Sequence, residues 1–405
     1  MKSGIAVTAV KACFTSVLIH PIPGNRLSHT DLDDVMTSSS PPAVPSPVGA
    51  ETLWMPARVL VTRSAAELPH GAGIVARCEA AGVVDIDVLS GDRLPPLRAE
   101  NDRAVYALAK RTLAVVVAPP SKRRLQPIQP SADWRIDLAQ GCPGHCQYCY
   151  LAGSLSGPPI TRVYANLPEI LAEMDQHVGK GTITSGTVER SDEGTTFEAS
   201  CYTDPLALEH LTGSLSSTIS HVGTHDWASP VGLRFTTKYD GVAPLLDLPH
   251  GGRTRVRVSV NADEVASRFE GGTARLPRRI AALRSLALAG YRVGLTIAPI
   301  MPIPQWQDAY GQLLRDVADA LDDVPGLDLT VECITHRFTA ASKDVLVGWY
   351  PRTKLEMDEA ARTRKFGKYG SAKYVYPKDV MTELRTWFAT ELEATLPAAR
   401  TLYWT

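Results

Sequence analysis

No run of about 18 or more uninterrupted apolar residues, the length a membrane-crossing helix needs, occurs in the chain, so no membrane span is expected. The most apolar early stretch, residues 4–19, is broken by Lys11 and followed by no small-residue cleavage site, which argues against a secretory signal peptide. Net charge is almost absent too: 42 Lys and Arg against 43 Asp and Glu leave −1. That balance excludes a bulk electrostatic pull toward nucleic acid, so any such binding must come from a local basic patch. Cysteine is sparse, seven in 405 residues, an odd number with a single tight cluster. A disulfide framework is thereby excluded, and the expectation is a reducing compartment, the cytoplasm by default, with a metal-binding or catalytic use of the thiols.

What is present suffices to bury a large core, with one big domain and a smaller one. Residues 1–50 end in a Ser/Pro-rich stretch that cannot bury enough surface to offset its ordering entropy, and read as a disordered leader. Residues 51–125 read as a small α/β domain: strand Ala57–Thr62, helix Gly73–Ala81, strand Val83–Val88, helix Asp102–Arg111 and strand Leu113–Val117. Residues 121–131 look like a linker. Within residues 126–345 six strands are expected, Trp134–Leu138, Thr196–Ser200, Gly232–Thr237, Arg255–Val260, Arg292–Ile297 and Asp328–Cys333. Between them lie expected helices Leu167–His177, Pro205–Thr212, Val242–Leu246, Pro277–Ala289 and Trp306–Leu321. Six β/α units imply an α/β fold with a parallel sheet curled into a full or partial barrel and right-handed crossovers. Residues 346–405 are left for a C-terminal hairpin and helix.

In such barrels the chemistry gathers at the C-terminal ends of the strands. Here those ends carry the Cys142/Cys146/Cys149 loop, Cys201-Tyr202-Thr203-Asp204, Lys238, Ser259 with Asn261, Ala298-Pro299, and Thr335-His336-Arg337. The loop Gly141–Leu151 places three thiols within eight positions, spaced Cys-x-x-x-Cys-x-x-Cys, and is made pliable by Gly141 and Gly144. Cysteine thiolates hold iron–sulfur clusters, and this close spacing lets one loop wrap several corners of a [4Fe-4S] cubane. Three ligands leave one iron open to chelate the amino and carboxylate groups of S-adenosylmethionine. A structural zinc site with His145 or a distant fourth ligand is the alternative, though His145 abuts Cys146 and zinc ligands usually come as two separated Cys-x-x-Cys pairs.

Gly-Cys-x-Gly-His-Cys-x-Tyr-Cys-Tyr-Leu resembles the cluster loop of the spore photoproduct lyase family, within the radical S-adenosylmethionine superfamily. The resemblance continues through Phe197–Cys201 with Asp204 and Glu209–Thr212, Arg234–Lys238, Ala298–Ile300, Ile334–Phe338, Gly367–Gly370 and Lys373–Tyr376, covering roughly residues 54–405. It implies a partial (β/α)6 radical-SAM barrel behind the small N-terminal domain, and an enzyme repairing a thymine photolesion in DNA. Carried over by position, Cys142, Cys146 and Cys149 would bind the cluster. Lys238, Ser259, Thr203 and Asn261 would contact S-adenosylmethionine, Cys201 would return a hydrogen atom to the thymine radical, and Tyr148 and Tyr150 would support radical transfer. Lys368 and Tyr369 would sit near the lesion, and a flavodoxin or ferredoxin would supply electrons. The chain departs from the family pattern in three places: Tyr202-Thr203 stands where Thr-Ser is usual, Lys368 where Arg is usual, which loses bidentate phosphate recognition, and residues 178–195 are longer than expected.

Other readings stay open. Cys201 alone would pass for a small buried hydrophobe, as Cys13, Cys78 and Cys333 do. Lys238 would pass for a surface lysine closing a strand, and His336 for a satisfied structural histidine. Arg362, Arg364, Lys365, Lys368, Lys373 and Lys378 are interleaved with Phe366, Tyr369, Tyr374 and Tyr376 around a Gly370-Ser371 turn. That pattern suits phosphates and an extruded base, or a lysine-guarded edge hairpin. Another radical-SAM reaction, on a different nucleic-acid lesion or a peptide, would use the same scaffold, and a zinc-stabilised DNA-binding protein would need no turnover.

Overall fold

The computed structural model describes residues 51–154, 157–182, 188–366 and 372–405. Its larger sheet has eight strands, in the order Arg400–Trp404, Leu329–Thr335, Arg292–Ile300, Thr254–Val260, Val231–Thr237, Thr195–Ala199, Ala132–Ile136 and Gln126–Ile128. All neighbours run parallel except the last pair. The six central parallel strands are those read from the sequence, shifted by at most a few residues. Two edge strands were not expected. Arg400–Trp404 adds a further parallel strand, and Gln126–Ile128, with the short helix Pro120–Arg123 before it, occupies the supposed linker.

Alternation with period two explains why this sheet curls around a polar interior. In Thr254–Val260 the side chains of Val256, Val258 and Val260 belong to the main apolar core, which also holds Leu283 and Leu286 of helix Leu276–Leu288 and Leu314 and Val317 of helix Trp306–Leu321. Fully burying each such side chain stabilises by about 1.5–3 kcal/mol. Arg255, Arg257 and Ser259 alternate with those valines. Arg257 Nη1 lies 2.7 Å from Glu332 Oε2, Arg234 Nη2 lies 2.6 Å from Glu332 Oε1, and Arg257 also pairs with Glu198, all of them buried. Such pairs do little net stabilising, yet removing one partner strands a buried charge.

Three crossovers differ from expectation, the first being Leu167–His177, which splits into the α-helix Leu167–Ala172 and the 3-10 turn Asp175–His177. The Val242–Leu246 helix is only the 3-10 turn Ala243–Leu245, and Pro205–Thr212 breaks into a 3-10 turn and one α turn ending at Gly213, whose φ is 62°. Helices Ser214–Thr224, Asp263–Phe269 and Ala340–Trp349 were unexpected; Thr339 and Ser342 form a capping box at the start of the last.

The smaller sheet runs Ile86–Val88, Arg58–Val61, Thr112–Val116, Thr161–Tyr164 and Ala139–Gln140. Its first three strands are the expected N-terminal ones. The other two flank the cysteine loop, Ala139–Gln140 just before it and Thr161–Tyr164 just after, and they pair antiparallel with each other. Both ends of that loop are therefore anchored in the small sheet.

Candidate functional site

The cysteine loop is shaped by glycine and by backbone pairing. Gly141 has φ +80°, and a Cβ there would lie 2.5 Å from the Ile160 carbonyl oxygen, so only glycine fits. His145–Cys146 pairs antiparallel with Glu270–Gly271, and the Gln147 amide donates to the Phe269 carbonyl at 2.9 Å. Cys142, Cys146 and Cys149 line one cavity with Tyr106, Lys110 and Tyr350. Burial pushes these thiols up to about 11, 12 and 11 respectively. Ionised at neutral pH they need a bound cation, which is the chemistry of a cluster-ligand set. Among the described residues no group of three or more His, Cys, Asp or Glu side chains is placed to hold a single ion.

Lys238 ends its strand on this rim. Its Nζ donates to Ser259 Oγ at 2.7 Å, to Glu270 Oε1 at 3.1 Å and to the Ala298 carbonyl at 3.3 Å. It also lies 5.7 Å from the centroid of the Tyr148 ring, whose hydroxyl donates to Glu270. Burial opposes ionisation of Glu270, but Lys238 and Arg279 outweigh it and hold the carboxyl at about 2. Lys238 is thus no free surface lysine. Asp204 accepts from the Lys238 amide at 2.7 Å and from Thr237 Oγ1 at 2.8 Å, joining two neighbouring strand ends. Asn261 Nδ2 donates to the Pro299 carbonyl at 2.9 Å, and its Oδ1 accepts from the Tyr310 hydroxyl at 2.8 Å. The Thr203 hydroxyl is buried with no hydrogen-bond partner among the described residues, a group with capacity to spare.

Cys201 follows Ser200, which sits at φ 56° in the left-handed region. The Ser200 amide donates to the Ile136 carbonyl at 2.7 Å, and Ser200 Oγ accepts from the Leu138 amide at 3.0 Å. The sharp turn aims residue 201 off the strand end. Two contacts bind this turn to the cysteine loop: the Gly141 amide donates to the Tyr202 carbonyl at 3.0 Å, and the Tyr150 hydroxyl donates to the Cys201 carbonyl. Burial, then the Glu198 and Asp137 carboxylates, push the Cys201 thiol far up against the pull of Arg135, so it keeps its proton at neutral pH.

Of the residues expected near DNA, Lys368 and Tyr369, with the Gly370-Ser371 turn, lie outside the described residues. Strands Thr363–Phe366 and Ala372–Val375 do pair antiparallel around them. Arg362 is not available for phosphates: it is buried, donates to the His336 carbonyl and lies 3.7 Å from the Tyr376 ring centroid. Arg364, Lys365 and Phe366 are exposed. Sequence reasoning missed Tyr106, Lys110, Tyr350 and Glu270, which reach the site from distant segments with no local motif to announce them.

The family model described as spore photoproduct lyase matches residues 54–405. The chain belongs to the spore photoproduct lyase family. It is 37% identical to the spore photoproduct lyases of Geobacillus sp. (strain Y412MC61) and Bacillus subtilis (strain 168), each over 352 residues, covering 87% of this chain and 99% of the relative. Among solved structures, a spore photoproduct lyase variant with bound AdoMet and dinucleoside spore photoproduct is 36% identical with a TM-score of 0.79, covering 87% of this chain and 99% of that one. A second, complexed with dinucleoside spore photoproduct, is 37% identical with a TM-score of 0.77, covering 86% and 99%.

Proposed function

We propose that this chain is a radical S-adenosylmethionine lyase that returns the spore photoproduct, 5-thyminyl-5,6-dihydrothymine, in DNA to two thymines. The observation carrying the reading is the tethering of the Cys201 turn to the three-cysteine loop, through Gly141 with Tyr202 and Tyr150 with Cys201. Family membership fixes the reaction class. Cys142, Cys146 and Cys149 would hold a [4Fe-4S] cluster, and Lys238, Ser259 and the unpartnered Thr203 hydroxyl would meet AdoMet. Bound together, these groups supply a low-potential electron and a hydrogen-abstracting adenosyl radical. Asn261, which holds the Pro299 carbonyl and the Tyr310 hydroxyl, would contact AdoMet at the same rim.

The protein's own contribution is orientation and quenching. Once the bond between the thymines breaks, the remaining radical needs a hydrogen atom, and a thiol gives one readily because S–H is weaker than C–H. Only the protonated thiol carries that atom, which is what burial and the carboxylates beside Cys201 maintain. Tyr150, bonded to the Cys201 carbonyl, and Tyr148, bonded to Glu270, stand ready for radical transfer. Arg364, Lys365 and Phe366 offer cations and an exposed ring to the DNA beside Lys368 and Tyr369. A flavodoxin- or ferredoxin-like donor in the cytoplasm would deliver the electron; no helix among the described residues is long and apolar enough to cross a membrane.

The test is anaerobic turnover with iron and sulfide reconstitution, dithionite, AdoMet and a dinucleoside spore photoproduct. Thymidine release together with AdoMet cleavage is expected. AdoMet cleavage with the lesion left intact would keep the radical chemistry and overturn the substrate.

A further inference from the structure

Lys110 is buried at 5% exposure, far from the rim lysine Lys238 in sequence and contributed by helix Asp102–Lys110 of the N-terminal segment. Its ammonium reaches across to the cysteine loop and donates to the carbonyls of Cys142 and Gly144. No carboxylate among the described residues pairs with it. Burying an ammonium without an anion is costly, and such groups ordinarily have a partner. The anion in reach is the thiolate set itself, since Lys110 lines the same cavity as Cys142, Cys146 and Cys149.

The wall around it is aromatic. Tyr106 stacks on Trp349 with ring centroids 4.4 Å apart, meets Tyr350 edge-on at 5.6 Å and hydrogen-bonds to its hydroxyl, and approaches His145 Nδ1 at 3.3 Å. The Lys110 ammonium lies 5.8 Å from the Tyr106 ring centroid. Water exclusion lowers the local dielectric and strengthens a fixed charge.

We infer that Lys110 is the counter-cation of the cluster and positions its reduction potential, an inference that rests on the cluster assignment above. One-electron reduction, by a low-potential donor such as dithionite, adds a negative charge to the thiolate-bound cluster. A fixed positive charge beside it stabilises the reduced state and raises the potential. Lys110 touches the carbonyls of Cys142 and Gly144 in the cysteine loop, so it acts through the cluster.

The experiment is spectroelectrochemical titration of the reconstituted full-length protein, followed by the EPR signal of the reduced cluster, with iron counted in parallel. Lys110→Gln keeps N–H donors for the two carbonyls and drops the charge, whereas Lys110→Arg keeps the charge. At the wild-type midpoint, Lys110→Gln should show an about tenfold lower ratio of reduced to oxidised cluster, equivalent to about 59 mV for a one-electron couple. Lys110→Arg should stay close to wild type, with iron content retained in both. A Gln variant titrating like wild type would make Lys110 a structural strut and overturn the inference, as would equal shifts in both variants. Wild-type protein that takes up no iron would instead bring down the cluster assignment and this inference with it.

Discussion

On the proposed reading, burial serves different ends at different thiols: Cys142, Cys146 and Cys149 would ionise only beside a bound cation, and Cys201 would keep its hydrogen. Cys333, pushed to about 12 by burial, packs within the barrel core. Cys142→Ala should therefore lose nearly all reconstituted iron while Cys333→Ala keeps it, and iron analysis separates the two. Cys333→Ala should still cost about 1–2 kcal/mol in urea unfolding, as other buried deletions of a few atoms do. His336 offers a pH test. Burial, then Arg362 and Arg337, hold it down at about 3, so it stays neutral in the fold while the unfolded chain takes a proton near pH 6.5. The unfolded state then binds more protons between those values. Stability should fall as pH drops below about 6.5, by up to about 1.4 kcal/mol per pH unit from this group. Urea midpoints at pH 7 and pH 5 should converge for His336→Asn relative to wild type. At this scale the sequence displayed the cysteine loop, Cys201 and Lys238, because each sits in a short stretch with its own pattern. Lys110, Tyr106, Tyr350 and Glu270 left no trace, because their roles exist only once segments many residues apart meet.

Among elements, the central strands were legible from alternation and from the polar residues that end them. Helix Ser214–Thr224 was not, although Leu215, Thr218, Ile219 and Val222 bury one face at helical spacing, because its Ser/Thr content reads as loop. Arg400–Trp404 was missed for a different reason: its partner, Leu329–Thr335, lies far upstream, and an edge strand has no local cue to its pairing. That strand closes the polar lumen, with the Tyr403 hydroxyl donating to Glu332 Oε2 at 2.9 Å. Glu332→Gln should destabilise by about 3–5 kcal/mol, since it leaves the buried Arg234 and Arg257 without their shared carboxylate. Denaturant unfolding monitored by circular dichroism measures this; a change under about 1 kcal/mol would show that the lumen arginines find other partners.

For the molecule as a whole, the barrel supplies the rim and the smaller sheet holds the loop that faces it. The cysteine loop is strung between two strands of that smaller sheet, and its start is tied to the Cys201 turn on the barrel. Weakening the smaller sheet at Leu113, fully buried in its core, should loosen the cluster as well as the fold. Leu113→Ala should cost about 2–5 kcal/mol and release iron at lower urea than wild type, followed by loss of visible absorbance. On the reading proposed above, the reaction depends on Cys201 delivering its exchangeable hydrogen across this assembly. A single turnover in D2O with the dinucleoside spore photoproduct, read by mass spectrometry of the released thymidines, tests that most directly. Deuterium in the repaired thymine from wild type, with diverted products from Cys201→Ala, is the predicted result. Repaired thymines free of deuterium, at an undiminished yield in Cys201→Ala, would contradict it.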